Sequence, residues 1–383
     1  MRRMLRQAGL LAAMTALLWA GCGDTKAQAP TASKPAANSQ DLVALKKQAR
    51  GAIDGGLRYL HANLEDDGSW CKNAGVTGIV LLAFLKSHRG YDETDGPFIR
   101  RPVEYLLALQ KPDGGIYEKQ LANYITSIAI QALIATENPK HKDAIRKARA
   151  YLTGSQLDDG EGYKESDRNY GGAGYGSSLR PDLSNTQMWA DAIHAAEEAG
   201  LEKDTAAWKR MVVFVSRCQN RSESNPMPWA GNDGGAVYST YESKAGEVTL
   251  PDGRKGLRSY GAMTYAFLKC MIYADVSKDD PRVQAAHEWI RKHYTVDENP
   301  ELGLQGLYYY YHTMAKSLKA LGEDVLVDHQ GVEHNWRADL INKLLSLQRK
   351  DGSWLNTNDR WWETNPVLVT AYAVLTLEEL TSE

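Results

Sequence analysis

Residues 344–354 read LLSLQRKDGSW, and closely similar phrases recur along the chain. The other copies are YLHANLEDDGSW (59–70), YLLALQKPDGGIY (105–117) and YLTGSQLDDGEGY (151–163). A further copy, FVSRCQN (214–220), reaches its Asp-Gly pair only at Asp233 and Gly234, after an insertion. In each copy an amphipathic segment ends before a turn in which glycine supplies a positive φ angle. Such self-similarity predicts a repeat architecture.

A second phrase follows each turn and carries a threonine near its start. Segments such as ITSIAIQALIA (125–135) are apolar on nearly all sides, and a helix of that kind is buried all round. Each unit is therefore expected to pair a half-exposed outer helix with an enclosed inner helix. The six threonines are Thr77, Thr126, Thr186, Thr264, Thr313 and Thr370.

Six such units predict an all-α fold, an α/α toroid of six helical hairpins over residues 41–383. Closure into a double ring is favoured over an open solenoid because the first and last units carry no obvious polar caps. Two insertions, residues 164–182 and 234–258, lie at turns from outer to inner helix and are expected on one rim. The second is predicted to form a hairpin around Pro251-Asp252-Gly253. We expect outer helices near 41–63, 97–110, 141–156, 202–219, 281–294 and 334–348, and inner helices near 75–87, 121–136, 183–199, 259–275, 305–321 and 365–381.

The N-terminus has the layout of a bacterial export signal. Three arginines within residues 1–6 precede an apolar stretch, Leu10–Trp19, and then Ala20-Gly21-Cys22. Small residues before a cysteine predict that Cys22 is lipidated, although Trp19 stands where leucine is usual; ordinary cleavage after Ala27-Gln28-Ala29 is the alternative. Residues 1–22 are thus the predicted signal peptide and residues 23–40 a flexible tether. The protein is expected to be a lipid-anchored envelope protein, or else periplasmic or secreted.

Composition excludes several classes of function. The chain has 383 residues and a formal net charge of −3, which gives no basic face for nucleic acid. No apolar run after residue 25 is long enough to span a bilayer. Besides Cys22 there are three cysteines, Cys71, Cys218 and Cys270, without a C-x-x-C pair, so one disulfide is possible but a structural zinc site is not indicated.

The repeated phrases resemble the prenyltransferase/squalene-oxidase repeats of the terpenoid cyclase and protein prenyltransferase superfamily. The residues that carry the resemblance are the Q-x-x-D-G-x-W-like phrases, Gln110 to Tyr117, Gln156 to Tyr163 and Gln348 to Trp354, together with the inner-helix phrases. The resemblance covers roughly residues 41–383. It implies a toroid in which the first turns of the inner helices line a central cavity, but it does not establish a reaction.

The resemblance first implies a test for squalene-hopene-type cyclisation. Those enzymes protonate their substrate with an aspartate of a D-x-D-D motif directly before an inner-helix threonine. Of the six tetrads that precede the inner-helix threonines, only DLSN (182–185) contains an acidic residue, Asp182. Its proton-donating position is occupied by Ser184. A hydroxyl does not protonate an alkene at a useful rate, so this reaction is not expected.

The second implied chemistry is protein prenyl transfer. Tyr311-His312-Thr313 matches the phrase that supplies the zinc-binding histidine, but the partner Asp-x-Cys positions are Gly261 and Met263. One imidazole does not hold zinc, so no metal site and no cofactor are expected. The Gly-Cys-Gly-Glu-Gln phrase of thioester proteins is absent from the sequence.

Candidate site residues remain. His312, Asp191 and Glu363 are candidates for an acid or base, each with a packing or capping role as the alternative. The Asp-Gly pairs at Asp67, Asp113, Asp159 and Asp351 are predicted turns and not calcium sites. The candidate ligand-binding residues are Tyr124, Asp182, Ser184, Trp189, Tyr260, Tyr310, Tyr311 and Trp361.

These residues favour a protein that lacks the signature catalytic groups and binds an apolar or isoprenoid-like ligand in an aromatic central cavity. Two alternatives stay open. One is an envelope enzyme of undetermined chemistry, acting for example on polysaccharide with two opposed carboxylates. The other is a structural module whose rim contacts a protein partner. The expected partners are an apolar small molecule or polysaccharide, and the membrane through the lipid anchor.

Overall fold

A computed structural model describes residues 39–176 and 180–382. The predicted signal peptide with Cys22, and nearly all of the predicted tether, lie outside the described residues. Odd-numbered helices below are the outer helices and even-numbered ones the inner helices. In chain order they are α1 (Ser39–Ala62), α2 (Ala74–Leu85), α3 (Pro97–Ala108), α4 (Ala122–Ala135), α5 (Lys142–Gly154), α6 (Leu183–Glu198), α7 (Thr205–Ser216), α8 (Gly261–Tyr273), α9 (Pro281–Lys292), α10 (Leu307–Leu321), α11 (Trp336–Leu347) and α12 (Pro366–Thr381).

The six inner helices form a closed ring. Each packs against the next, from α2 through α4, α6, α8 and α10 to α12, and α12 packs back against α2. The inner helices are buried along nearly their whole length; α8, for example, is buried from Gly261 to Met271. The outer helices bury one stripe each, as their amphipathic sequences require. The predicted α/α toroid of six hairpins is confirmed.

The repeated glutamine links neighbouring outer helices through hydrogen bonds. Gln110 Nε2 donates to Gly114 O in its own turn (3.0 Å) and to Ala144 O of α5 (2.9 Å). Gln156 and Gln219 make the same pair of bonds to their own turns and to α7 and α9. Gln348 closes the ring, because its amide donates to Gly352 O (2.9 Å) and to Ala52 O of α1 (2.8 Å).

The glycine of each repeated turn lies against the backbone of the next outer helix. A Cβ at Gly114 would come within 2.5 Å of Lys147 O, and one at Gly352 within 2.4 Å of Gly55 O. In the third unit Gly171 has this position, 1.8 Å from Arg210 O for an added Cβ. Gly160, which the sequence pattern singled out, instead lies in a short 3₁₀ turn, Asp159–Glu161, just before the insertion. The inserted residues thus shift the turn glycine from position 160 to position 171, which aligning the repeated phrases does not reveal.

The repeated threonine fastens the incoming loop to the inner helix. Thr77 Oγ1 accepts the backbone N–H of Trp70 (3.0 Å) and donates to Asn73 O (2.8 Å). Thr370 accepts from Trp354 N–H in the same way (3.0 Å). Equivalent N–H bonds are made to Thr126, Thr186 and Thr264. Five of the six periodic threonines therefore have a structural role, since each satisfies a buried backbone N–H. Thr313 differs, because its hydroxyl donates to Tyr309 O within α10 (2.8 Å).

Both insertions lie over the end of the ring at which the inner helices begin. The predicted hairpin is present as β1 (Glu247–Thr249) and β2 (Lys255–Leu257), with a second small pair in β3 (Leu326–Val327) and β4 (Glu333–His334). Tyr175 of one insertion and Tyr238 of the other share a hydrogen bond of 2.8 Å.

The described cysteines, Cys71, Cys218 and Cys270, are free thiols. No helix in the described part of the chain is long and apolar enough to cross a membrane.

Candidate functional site in the lumen of the ring

One face of each inner helix points toward the centre of the ring, which we call the lumen. These faces follow a helical spacing of about four, three and four residues, which keeps side chains on one side of a helix. The α2 and α12 faces are mainly aliphatic, whereas the α6 and α10 faces are polar. Contacts between inner helices place these side chains in the lumen: Lys86 just beyond α2, Tyr124 on α4, Ser184, Gln187, Asp191 and His194 on α6, Lys269 and Tyr273 on α8, Tyr309, His312 and Lys316 on α10, and Tyr372 and Glu379 on α12. Helical spacing extends these faces to Gly75, Ile79 and Leu82 on α2, Ile128 and Gln131 on α4, and Leu368 and Leu375 on α12.

Aromatic and hydroxyl groups line the lumen where the inner helices begin. Ser184 Oγ shares hydrogen bonds of 2.9 Å with the hydroxyls of Tyr124 and Tyr309. The ring of Tyr309 lies edge-on to that of Tyr372, with centroids 6.3 Å apart. These side chains, and His312 one turn deeper, keep part of their surface accessible although they lie on enclosed helices. We call this space the tyrosine recess: Tyr124, Ser184, Tyr309, His312 and Tyr372.

A chain of polar contacts continues from the recess to a buried ion cluster. Gln187 Nε2 donates to the Tyr309 hydroxyl (2.6 Å), and Lys269 Nζ donates to Gln187 Oε1 (2.5 Å). Lys269 also donates to Asp191 Oδ2 (2.8 Å), and Lys316 Nζ lies 2.7 Å from Asp191 Oδ1. Because Gln187 interrupts the chain with an amide, the chain positions groups but does not pass a proton along its length.

The ion cluster holds two ammonium groups against one carboxylate. The side chain of Lys269 is 1% exposed, that of Asp191 4% and that of Lys316 10%. Burial alone would raise the pKa of Asp191, but Lys269 and Lys316 overcome this and hold it below its ordinary value. Burial, opposed by Asp191, lowers the pKa of Lys269. Asp191 is therefore an ion-paired carboxylate at neutral pH and not a free general base.

His312 is a neutral imidazole in this setting. Burial, with a further contribution from Lys316, lowers its pKa to about 3. Its Nδ1 atom is buried without a hydrogen-bond partner among the described residues. An unsatisfied buried nitrogen costs free energy, so it indicates a position where a ligand group can bind.

Several predicted ligand-binding residues lie outside the lumen. The hydroxyls of Tyr310 and Tyr311 donate to the carbonyls of Thr295 and Val296, 2.7 Å away, on the outer side of α10. Trp189 points away from the lumen and donates to Leu152 O of α5 (3.0 Å). These three side chains and Tyr260 are almost fully buried. Of the tyrosines in α10, Tyr309 contacts the lumen residues Ser184 and Gln187, whereas the predicted Tyr310 and Tyr311 bond to the outer side.

Two candidate residues cap helices, the ligand-binding candidate Asp182 and the acid or base candidate Glu363. Asp182 accepts the backbone N–H of Asn185 (2.7 Å) at the start of α6, and burial raises its pKa to about 6. Glu363 accepts the backbone N–H groups of Tyr308 (3.3 Å) and Tyr309 (2.9 Å) at the start of α10. Burial raises the pKa of Glu363 above its ordinary value. Both carboxylates are engaged by orphan helix donors, which favours their capping role.

Trp361 lies on the rim surface, with 46% of its area exposed and its ring against Gly306. Within the described residues, no group of three or more His, Cys, Asp or Glu side chains could hold a metal ion.

The sequence did not single out Gln187, Lys269, Lys316 or Tyr372. One signal was available for two of them, because a lysine inside a helix that is otherwise apolar is rarely buried without a partner. Lys269 in GAMTYAFLKCMIY (261–273) meets that description, and Lys316 lies seven residues after Tyr309 on the same helical face. Their common partner, Asp191, was singled out.

Comparison with known sequences agrees with the predicted resemblance to cyclase repeats. Residues 71–234 match the sequence profile of the squalene-hopene cyclase C-terminal domain. A curated relative, lanosterol synthase erg7A of Aspergillus fumigatus, is 31% identical over 135 residues, which are 31% of this chain and 18% of the relative. The chain thus spans about a fifth of the length of that relative.

Comparison with solved structures shows the same fold. A type II terpene cyclase from Scytonema, in complex with geranylgeranyl dihydroxybenzoate, aligns with a TM-score of 0.54 at 14% identity and covers 88% of this chain and 99% of its own. A family 76 glycoside hydrolase from a bovine Bacteroides thetaiotaomicron strain aligns with a TM-score of 0.55 at 9% identity, over 87% and 77% of the two chains. The predicted resemblance to the terpenoid cyclases is confirmed, and at these identities it concerns the fold.

Proposed function

We propose that this protein is an exported, terpenoid cyclase-like repeat protein that binds an apolar or isoprenoid-like molecule in the lumen and does not cyclise it. The observation that carries the proposal is the tyrosine recess, where enclosed aromatic side chains from α4, α10 and α12 retain accessible surface. Aliphatic side chains of α2 and α12 continue the wall below it. Aromatic and aliphatic walls suit an apolar chain, although the α6 and α10 faces of the lumen are polar.

Two features argue against cyclisation through a carbocation. Ser184 occupies the position of the proton donor, and its hydroxyl is engaged by Tyr124 and Tyr309. Further down, the ammonium groups of Lys269 and Lys316 would repel a cationic intermediate in a medium of low dielectric constant.

Glycoside hydrolysis receives little support from the lumen carboxylates. That chemistry needs one carboxyl group to give a proton and another to act as nucleophile or base. Asp191 lies 2.8 Å from Lys269, and Glu379 lies 2.9 Å from Lys319, so both carboxylates are held as ion pairs. Among the described residues of the lumen, the fold shared with the glycoside hydrolase is therefore not accompanied by an equivalent pair of free acids.

Binding of geranylgeraniol to purified protein, measured by native mass spectrometry and by calorimetry, tests the proposal. Ser184→Trp places a bulky ring in the recess and should weaken binding at least tenfold. Tyr309→Phe should weaken it only a few-fold, because the ring remains while the hydrogen bonds to Ser184 and Gln187 are lost.

Tyr308→Phe is the matched control. Tyr308 is the neighbouring residue, it is buried, and its hydroxyl has no partner among the described residues, so binding should be unchanged. Circular dichroism checks that each variant is folded. If the unmodified protein binds no isoprenoid, or folded Ser184→Trp binds as well as the unmodified protein, the proposal is wrong.

A further inference from the structure

The accessible surface of α10 leads from the rim of the ring to a buried ammonium group. Tyr309, His312 and Lys316 follow one another at helical spacing, and each keeps part of its surface accessible. The flanking residues Tyr308, Tyr311 and Ala315 are buried. The recess therefore continues down the polar face of α10 as far as Lys316.

The charges at the lower end of this strip do not balance. Lys269 and Lys316 contact Asp191, while Lys86 and Lys319 lie 3.9 and 2.9 Å from Glu379. Positive charge from Lys86, Lys316 and Lys319 outweighs burial and lowers the pKa of Glu379 to about 2. The four ammonium groups thus face two ionised carboxylates at neutral pH. Lys86 and Lys319 are 42% and 36% exposed and are therefore solvated, but Lys269 and Lys316 are buried and share one carboxylate, Asp191. The uncompensated positive charge of this buried pair is costly and favours an added anion.

Hydrogen-bonding groups are also unfulfilled there. His312, one helical turn above Lys316, has a buried Nδ1 atom without a partner among the described residues. The Lys316 ammonium has three N–H groups and contacts Asp191 Oδ1 at 2.7 Å, which leaves N–H groups for a second acceptor. An oxygen atom between His312 and Lys316 could accept from both, because neutral imidazole carries one N–H donor.

We infer that the strip formed by Tyr309, His312 and Lys316 binds an amphipathic anion, with its carboxylate or phosphate head group at Lys316 and its apolar chain in the tyrosine recess. This inference rests on the proposed function and names the class of ligand. The head group supplies the missing negative charge, and the chain lies against the aliphatic faces of α2 and α12.

Three probes share one apolar chain and differ in head group, so their affinities show what the head group contributes. They are geranylgeranoic acid, geranylgeranyl monophosphate and geranylgeraniol. Calorimetry at neutral pH should show the acid or the phosphate binding at least tenfold more tightly than the alcohol. Inorganic phosphate alone serves as a fourth probe and should bind far more weakly than the phosphate ester, because it lacks the chain.

Lys316→Met keeps the length of the side chain and removes its charge. It should reduce the advantage of the anions over the alcohol to less than twofold, whereas Lys316→Arg should retain most of it. The control is Lys343→Met on α11, which removes a half-buried ammonium paired with Asp297 at 2.8 Å, far from the lumen, and should leave all three affinities unchanged.

The outcomes distinguish this inference from the proposed function. If the alcohol binds as tightly as both anions, or if the preference survives in Lys316→Met, the head-group site is wrong while the recess stands. If none of the three chains binds, both proposals are wrong. Tight binding of inorganic phosphate alone would also overturn the inference, because the site would then be a free-anion site.

Discussion

Lys269 is a residue at which the lumen differs from one suited to a carbocation. It lies in a helix that is otherwise apolar or small-chained, and its ammonium is held by Gln187 and Asp191 in the middle of the ring. A lumen built for a cationic intermediate would place carboxylates and aromatic faces there, since these stabilise positive charge. At this position the chain instead adds positive charge, which is why the cyclase-like fold does not imply the cyclase reaction.

His312 makes the stability of the protein depend on pH. Its pKa falls from an ordinary value of 6.5 to about 3 on folding, because burial and Lys316 disfavour the charged ring. Between these values the unfolded chain binds a proton that the folded chain does not. The free energy of unfolding should therefore decrease as the pH is lowered from 6.5 toward 3, by at most about 1.4 kcal/mol per pH unit from this group.

Urea unfolding at several pH values measures this dependence. The variant His312→Gln should show a flatter decrease across the same range, whatever its absolute stability. His329→Gln, at an exposed histidine, should keep the slope of the unmodified protein. Equal slopes for the two variants would show that His312 does not carry the effect.

The element that the repeat preserves is the joint between a loop and the first turn of an inner helix. Thr370 Oγ1 accepts the Trp354 N–H, and both residues are fully buried. Thr376, two turns later in α12, bonds only back to Tyr372 O (2.7 Å) within its own helix. Thr370 thus accepts a backbone N–H from outside its helix, whereas Thr376 does not.

We expect Thr370→Val to lower the free energy of unfolding by roughly 1–3 kcal/mol, because the Trp354 N–H is left buried without an acceptor. Thr376→Val removes only a local bond and should change stability by less than about 0.5 kcal/mol. Urea unfolding of the two variants gives the comparison. Similar losses for both would contradict the role assigned to the repeated threonine.

At the scale of the whole molecule, closure joins the last unit to the first. Gln348 bonds α11 and its turn to Ala52 of α1, and Gly352 packs against Gly55 in the same helix. These contacts span almost the full length of the chain. Their formation fixes the diameter of the ring and with it the lumen.

Gly352→Ala tests closure. The residue has φ +87°, and an added Cβ would lie 2.4 Å from Gly55 O. Gly253 has φ +84° but nothing within 4 Å of an added Cβ, so Gly253→Ala measures the backbone strain alone. We expect Gly253→Ala to cost about 1–2 kcal/mol of unfolding free energy and Gly352→Ala a further 1–3 kcal/mol or so.

Hydrogen exchange shows which helices lose stability in Gly352→Ala. In Gly352→Ala the amides of α1 and α11 should exchange faster than those of α5 and α7, which lie across the ring. Equal costs for the two glycine variants would mean that the contact with α1 does not contribute to closure.

The sequence by itself determined the repeat, the alternation of outer and inner helices, and the ring. The repeat and the alternation depend on periodic local signals, namely apolar spacing, an Asp-Gly turn and a threonine in register. Closure into a ring was favoured because the first and last units carry no obvious polar caps. The resemblance to the cyclases, carried over to the tetrad DLSN (182–185), also led to the prediction that Ser184 stands at the proton-donor position.

Only the tertiary structure decided which side chains meet in the lumen. Tyr309 faces inward while Tyr310 and Tyr311 face outward, because consecutive helical residues point about 100° apart and packing against the outer layer fixes the rotation. Asp191, Lys269 and Lys316 come from three helices and are up to 125 residues apart in the chain. No local pattern encodes such a pairing, since it depends on how the inner helices are rotated and stacked when the ring closes.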